Sequence, residues 1–231
     1  MSIDFAKLLE TGEIAREQEQ YTKALNIFNE LIVTAGLAKK HIYVFDALIH
    51  RSHLYKHLYQ KTNDAVFLLL MSNDAQTSYQ IAKTKLKNKL DVAFMDLGNF
   101  HYLKEDFEQS SKYYNLAIKH LNNKPKAPYA EFLSHLGISQ VLAGRKQGLV
   151  LLKKAGALIA QDQSLRPFHK LVVESGNDMR VLLATHKLRT EHNTKLLKTK
   201  IASQVNLLAK KYGMPMRQIQ YRQLLKTIGS N

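Results

Sequence analysis

A row of imidazole side chains presents the clearest metal-binding chemistry in this sequence. Asp46, His50, His53 and His57 are spaced four, three and four residues apart, so all four project from one face of a helix. Imidazole nitrogens at such spacing converge and can hold zinc or a similar ion. No cysteine and no second ligand cluster accompanies them. The pattern therefore favours a polar stripe that faces solvent or a partner and becomes cationic at mildly acidic pH, with a metal site as the alternative.

Recognised catalytic motifs are missing from the sequence. It contains no His-Glu-x-x-His, no phosphate-binding loop, no Gly-x-Ser-x-Gly and no dinucleotide fingerprint. We therefore expect a protein that is not an enzyme and that carries no cofactor.

Positive charge is concentrated near the C-terminus. The formal net charge is +15. From Arg180 onward there are eleven Lys or Arg residues, and Glu191 is the one acid that opposes them. A block of this kind favours a polyanion, which could be nucleic acid, an acidic protein surface or anionic lipid. The alternative is an ordinary solvated helical face.

The last part of this basic block resembles a helix-turn-helix. Ala209, Gly213 and Ile219 have the spacing of its small residue, turn glycine and apolar residue. The resemblance implies that the helix after Pro215 enters a major groove. Arg222 departs from the pattern, because its offset normally holds a core apolar residue. The candidate contacts to nucleic acid are Lys210, Lys211, Arg217, Gln218, Gln220, Arg222 and Lys226.

The elements that position these residues are predicted to be helices throughout. Strand alternation and hairpin turn pairs are nearly absent, and apolar residues recur at helical spacing. Ser2 is a predicted N-cap, Gly36 a helix stop, and the stretch 122–128 the main loop. The stretch 175–178 reads as a helix stop followed by a new cap. In the first part of the chain these signals predict helices over 3–16, 22–34, 41–61 and 64–86, followed by two helices within 93–120. Further helices are predicted to begin after 128 and after 164. The last three are predicted over 178–189, 194–212 and 215–228.

Two stretches share one spacing of small and aromatic residues. Small residues at these offsets let two antiparallel helices approach, and the aromatic residues fill the space between them. One copy is Gly98, Phe107, Ser110, Tyr114 and Ala117, and the other is Gly12, Tyr21, Ala24, Phe28 and Leu31. The pattern resembles the tetratricopeptide (TPR) repeat family.

Weaker copies extend this resemblance along the chain. Ala75, Tyr79 and Ala82 match only the second helix of the motif, and Gly137 matches only the first, because Lys153 stands where an aromatic residue is expected. The resemblance implies an all-α, TPR-like α-solenoid of about four repeats over residues 1–160, with the second and fourth degenerate. Residues 161–231 would form a basic helical region that caps the array.

In TPR proteins the first helices of the hairpins line a groove that binds a peptide or protein. One subclass clamps a terminal carboxylate with Lys and Asn residues, and only Asn99 matches that set here. The resemblance places Glu13, Arg16, Asn99, Tyr102, His135 and Ile138 in the groove.

We therefore expect an interaction scaffold that binds a peptide or protein in this groove and an acidic partner through its basic C-terminus. The alternative is a nucleic-acid-binding regulator that uses the helix-turn-helix. The longest apolar run, 65–71, is too short to span a bilayer, and the N-terminus lacks a signal-peptide pattern. Together with the absence of cysteine, this predicts a cytoplasmic protein without a membrane partner.

Overall fold

The chain is helical throughout the part that the structure describes. The computed structural model describes residues 3–121, 126–190 and 194–229. Within these ranges there is a single 3-10 turn, at Lys87–Lys89, and no strand. The eleven α-helices are α1 (Phe5–Glu17), α2 (Tyr21–Leu37), α3 (His41–Thr62), α4 (Ala65–Lys85), α5 (Leu90–Leu103), α6 (Phe107–His120), α7 (Lys126–Leu142), α8 (Gly148–Gln161), α9 (Pro167–Leu188), α10 (Thr194–Tyr212) and α11 (Met216–Gly229). The predicted all-α class is confirmed.

Aspartate side chains begin several of these helices. The Asp4 carboxylate accepts a hydrogen bond from the Lys7 backbone N–H at 3.0 Å, and Asp64 accepts one from the Val66 N–H at 3.0 Å. Each bond satisfies a backbone donor that the first helical turn leaves without a partner. The predicted cap Ser2 lies outside the described residues. Asp4 caps α1 instead.

Two predicted helix breaks are wrong. α9 runs without interruption through 175–178, and α7 already includes 126–128, so only 122–125 of the predicted loop remain, outside the described residues. In α9, Ser175 Oγ donates to the Val172 carbonyl at 3.0 Å, and Asn177 is buried. Tertiary contacts therefore override the local turn preference. Gly36 also lies inside α2, which ends one residue later.

The described chain divides into two compact units, 1–104 and 105–231. The division lies inside the 93–120 stretch, so α5 belongs to the first unit and α6 to the second. None of the helices in the described ranges combines the length and apolar character that crossing a membrane requires.

In the first unit, α1, α3 and α5 form one layer, because α3 contacts both of the other helices. α2 packs on α1 and α3, and α4 packs on α3 and α5. Phe28 is fully buried between these helices, and a Cβ at Gly12 would lie 2.5 Å from its ring. The motif glycine therefore makes room for the motif aromatic, as the spacing predicts.

In the second unit, α7 packs against α6, α8 and α9, and α9 also contacts α10 and α11. α7 and α8 cross at a pair of glycines, where a Cβ at Gly137 would lie 2.7 Å from the Gly148 carbonyl oxygen. Around Met179, Leu182 and Ile201, the last three helices share an apolar cluster that includes the buried Tyr221 ring. Helices α10 and α11 are thus held on a core of their own.

Candidate interaction surfaces

A chain of polar side chains crosses the α1–α3–α5 layer of the first unit. We call Arg16, His50, His53 and Asp96 the polar row. Arg16 Nη1 lies 2.9 Å from His50 Nδ1, and His53 Nε2 lies 3.6 Å from Asp96 Oδ1. The two imidazole rings are 6.4 Å apart and nearly perpendicular. The row therefore joins three helices that are distant in sequence.

Arg16 determines which ring nitrogen of His50 carries the proton. A guanidinium can only donate hydrogen bonds, so His50 Nδ1 must accept and the ring proton lies on Nε2. Burial, together with the smaller effect of the Arg16 charge, lowers the pKa of His50 to about 3. The ring also stacks on Phe28, with the centroids 5.9 Å apart. His50 is therefore a neutral, fixed imidazole.

Asp96 is the most unusual group in the row. It is 1% exposed, and neither carboxylate oxygen has a hydrogen-bond partner of good geometry among the described residues. Burial raises the pKa of Asp96 to about 7, the nearby Ser52 hydroxyl and Lys56 ammonium oppose the rise, and Asp74 adds to it. A buried carboxyl without strong compensation favours its neutral form.

The structure does not gather the histidine stripe into a metal site. Asp46 pairs with Lys89 at 3.6 Å, His50 is held by Arg16, and the His57 ring lies edge-on to Tyr21 at 6.5 Å. Among the described residues, no three His, Cys, Asp or Glu side chains converge as metal ligands. The expectation that the stripe becomes cationic at mildly acidic pH is wrong for His50 and His53, because burial lowers both pKa values.

An ion pair anchors α3 to its neighbours next to the polar row. Arg51 donates to both carboxylate oxygens of Asp74, at 2.8 and 2.6 Å, and to Asn29 Oδ1 at 2.6 Å. The contact to Asp74 is the bidentate geometry that guanidinium and carboxylate groups form best. Because Asp74 is buried, these bonds fix α2, α3 and α4 relative to one another.

Four of the residues predicted for the groove lie in the first unit. Arg16 and Asn99 are buried, whereas Glu13 is exposed and Tyr102 is half-buried. Glu13 lies 3.8 Å from Arg16. His53, which the sequence assigned to the stripe, keeps 33% of its side chain exposed in the same layer. Glu13, His53 and Tyr102 are therefore three groups of this layer that a partner can reach.

The other two predicted groove residues lie in the core of the second unit. Ile138 has 0% of its surface exposed and His135 only 7%. Arg180 Nη2 lies 2.6 Å from His135 Nε2, and the His135 ring lies 5.1 Å from that of Tyr114. Both residues stabilise the packing of α6, α7 and α9, and in this conformation they offer almost no surface to a partner.

The basic helices place their predicted contact residues in two different settings. Lys210, Lys211, Arg222 and Lys226 are exposed. Arg217 Nη1 instead donates to Gln220 Oε1 at 3.0 Å. Gln218 Nε2 donates to Asn206 Oδ1 at 2.8 Å. The four exposed residues are therefore all cations. Arg217, Gln218 and Gln220 instead make hydrogen bonds within the protein.

A sharp turn separates α10 from α11 at Gly213, the predicted turn glycine. Gly213 has a φ of +66°, and the Met214 N–H donates to the Leu208 carbonyl at 3.2 Å. A left-handed residue followed by such a bond closes a helix and starts a sharp turn. Arg222 is exposed, so the position that departs from the family pattern is not part of the core here.

Comparison with known protein families finds no family that matches this chain. A search of curated proteins also finds no match.

Sequence reasoning did not identify Asp96 or Arg180 as important residues. Asp96 lies among apolar residues in the segment Val92–Leu97, so an acid on the apolar side of a helix was the available signal. Arg180 carries no comparable signal, because in the sequence it is only one of the eleven cations of the basic block. Its contacts with Ser134 at 3.2 Å and with His135 appear only once α7 and α9 are packed.

Proposed function

We propose that the protein is a non-enzymatic interaction scaffold that binds a peptide or protein partner on the α1–α3–α5 layer, with the basic C-terminal helices available to an acidic partner. The observation that carries this proposal is that Glu13 is exposed, and His53 and Tyr102 are partly exposed, beside the buried Arg16 and Asp96. These side chains offer an acid, an imidazole and a phenol ring on neighbouring helices. Such a combination suits recognition of a specific peptide better than general apolar capture.

The packing beneath these groups supports a preformed site. Arg16 and His50 are joined by a hydrogen bond, and Arg51 links three helices through Asp74 and Asn29. A surface whose supporting side chains are already ordered loses little conformational entropy on binding.

The polar row itself is better suited to support than to catalysis. His53 and Asp96 are close enough to suggest an acid–base pair, but both Asp96 oxygens are buried. A general acid or base must come within hydrogen-bond reach of its substrate. This burial supports a binding role for the layer.

Affinity capture with a matched pair of variants tests the proposal. The triple variant Glu13→Ala, His53→Ala, Tyr102→Ala removes the exposed groups of the layer. We expect it to lose, by at least about tenfold, a partner that the wild-type protein captures from native cells, because central contact residues carry most of the binding energy. Quantitative mass spectrometry of the captured proteins gives the measurement.

The control is the triple variant Lys23→Ala, Glu30→Ala, Gln76→Ala, which changes three exposed residues of α2 and α4. It should retain the partner, and circular dichroism should show that both variants are folded. Equal retention of every captured protein by both variants would contradict the proposal.

A second candidate function is the nucleic-acid-binding regulator with a C-terminal helix-turn-helix. The observation in its favour is the segment 194–229, which contains eight Lys or Arg residues and no Asp or Glu. The turn at Gly213 adds the geometry described above. In this alternative the α1–α3–α5 layer binds the regulatory partner and the C-terminal helices bind the nucleic acid.

A further inference from the structure

The outer surface of α10 and α11 is cationic along its whole length. The exposed cations include Lys195 and Lys210 on α10, and Arg222 and Lys226 on α11. Lys195 and Lys210 are fifteen residues apart, which is about 22 Å along a helix. Two acids of α9, Glu174 and Asp178, are both engaged by Lys200, at 2.8 and 2.9 Å. Residues 194–229 contain no Asp or Glu, so the exposed cations have no acidic neighbours on their own helices.

Between these cations, α10 exposes small polar side chains. Thr199, Ser203 and Asn206 are exposed and fall within one side of the helix, together with Lys195 and Lys210. The bond from Gln218 to Asn206 joins this side to α11, and Arg222 lies one turn beyond Gln218. We call the surface made by Lys195, Thr199, Asn206, Lys210, Arg222 and Lys226 the α10–α11 face.

The residue types of this face match phosphate oxygens. Lys and Arg side chains, together with Ser, Thr and Asn, make most of the contacts to the nucleic-acid backbone. An acidic protein partner would instead need an apolar centre in the interface. The large exposed apolar residues of α10, Leu196 and Leu207, are eleven residues apart. The exposed side chains between them include Lys200 and Ser203, so the middle of this helix surface is polar. The face is therefore better suited to a phosphate backbone than to a protein.

Two further features favour a duplex and argue against reading of its bases. Binding of single strands depends on exposed aromatic rings. Here Tyr221 is buried, and Tyr212 packs against Phe168 with the centroids 4.8 Å apart. Base reading needs free polar side chains on the groove-facing helix. Arg217 is instead bonded to Gln220, and Gln218 is bonded to Asn206.

We infer that the α10–α11 face binds the phosphate backbone of duplex DNA and does not discriminate its base sequence. This inference rests on the nucleic-acid-binding alternative above, and it replaces base-specific recognition by backbone contact along α10. About four neutralised phosphates, one for each Lys or Arg of the face, would give a slope of log K against log salt concentration of about −3.6. Binding should then weaken by about 150-fold between 50 and 200 mM salt.

Fluorescence anisotropy with the full chain tests the inference. The probes are two duplex DNAs of 24 base pairs with unrelated sequences, a single strand of the same length, and poly-glutamate as a polyanion without phosphate. We expect the two duplexes to bind within about threefold of each other. We expect the single strand and poly-glutamate to bind at least tenfold more weakly than the duplexes.

A charge-matched pair of variants locates the surface. The variant Lys195→Gln, Lys210→Gln, Arg222→Gln, Lys226→Gln removes the four positive charges of the α10–α11 face. It should reduce the salt slope by about 3 to 4, because each phosphate contact contributes about 0.9. The control variant Lys7→Gln, Lys23→Gln, Lys83→Gln, Lys85→Gln removes four exposed charges from the first unit and should leave the slope nearly unchanged.

Three results would overturn the inference, and each bears differently on the function. Strong preference for one duplex sequence would leave the DNA-binding regulator in place but contradict backbone-only recognition. Binding of poly-glutamate as tight as that of the duplex would favour an acidic protein partner. An absence of duplex binding at 50 mM salt would contradict both the inference and the nucleic-acid-binding alternative, and would leave the scaffold proposal untouched.

Discussion

Replacing Asp96 by Asn is expected to stabilise the protein at pH 8 by up to about 4 kcal/mol and to leave its stability at pH 4 nearly unchanged. The pKa of Asp96 is raised by burial from 3.8 to about 7. A shift of one pKa unit corresponds to about 1.4 kcal/mol. The amide of Asn has the shape of the carboxyl group but no charge, so the substitution removes the cost of a buried, weakly compensated carboxylate.

The sign of this effect follows from the two protonation equilibria. Well below pH 3.8 the carboxyl group is protonated in both the folded and the unfolded protein, so it contributes no difference. As the pH rises from about 4 to 7, the unfolded chain ionises while the folded protein keeps its proton, and stability falls. Above pH 7 the loss is complete and constant. The stabilisation by Asn should therefore grow from pH 4 to 7 and then remain level.

Guanidinium denaturation at pH 4, 6 and 8 measures the effect as the difference between the variant and the wild-type protein. Taking this difference cancels the contribution of His50, whose pKa is lowered from 6.5 to about 3. As the pH falls below 6.5, the unfolded chain protonates this imidazole while the folded protein does not, and the protein becomes less stable. Glu10→Gln, a substitution at an exposed acid of α1, is the control and should show little change. An Asp96→Asn protein that is less stable than wild type at pH 8 would contradict the interpretation of the polar row.

Replacing Gly148 by Ala is expected to destabilise the second unit by about 3 kcal/mol or more. A Cβ at this position would overlap the Gly137 carbonyl oxygen, and it would also lie 3.0 Å from the Val141 side chain. Because the first obstacle is backbone, relief requires α7 and α8 to separate. Overpacking of a close-packed site costs about 1–3 kcal/mol, and more where the backbone must move.

Thermal unfolding followed by circular dichroism provides the measurement for Gly148→Ala. The control is Gly36→Ala, because Gly36 lies within α2 and has no atom within 4 Å of an added Cβ. That substitution should stabilise the protein by up to about 1 kcal/mol, since alanine favours the helix. Equal behaviour of the two variants would show that α7 and α8 do not meet at this pair of glycines.

Local patterns in the sequence correctly predicted several helix ends and the close approach of a small residue to an aromatic ring. The predicted start of α3 at His41 and the full extent of α10 match the structure, because cap and period signals are local. The contact between Gly12 and Phe28 also follows from the repeat spacing. Such features depend on residues that are near in sequence or that recur at one spacing along the chain.

Features that depend on distant contacts were not accessible in this way. The polar signals at 175–178 indicated a break in α9, yet Asn177 accepts a hydrogen bond from Ser134 at 2.8 Å in the interior. Helical spacing placed His50 and His53 on one face, but it could not show that α1 and α5 cover that face. The burial of Asp96, and with it the rise of its pKa, likewise depends on packing against α3.

Hydroxyl-radical footprinting of the full chain, with and without the captured partner, tests the proposed scaffold function most directly. The reactive side chains Met95, Tyr102 and His53 lie partly exposed in the α1–α3–α5 layer. We predict that the partner reduces their oxidation at least about threefold. The exposed residues Val33 and Leu69, on α2 and α4, should remain as reactive as in the free protein. Protection of Val33 and Leu69 with unchanged oxidation of Met95, Tyr102 and His53 would contradict binding on this layer.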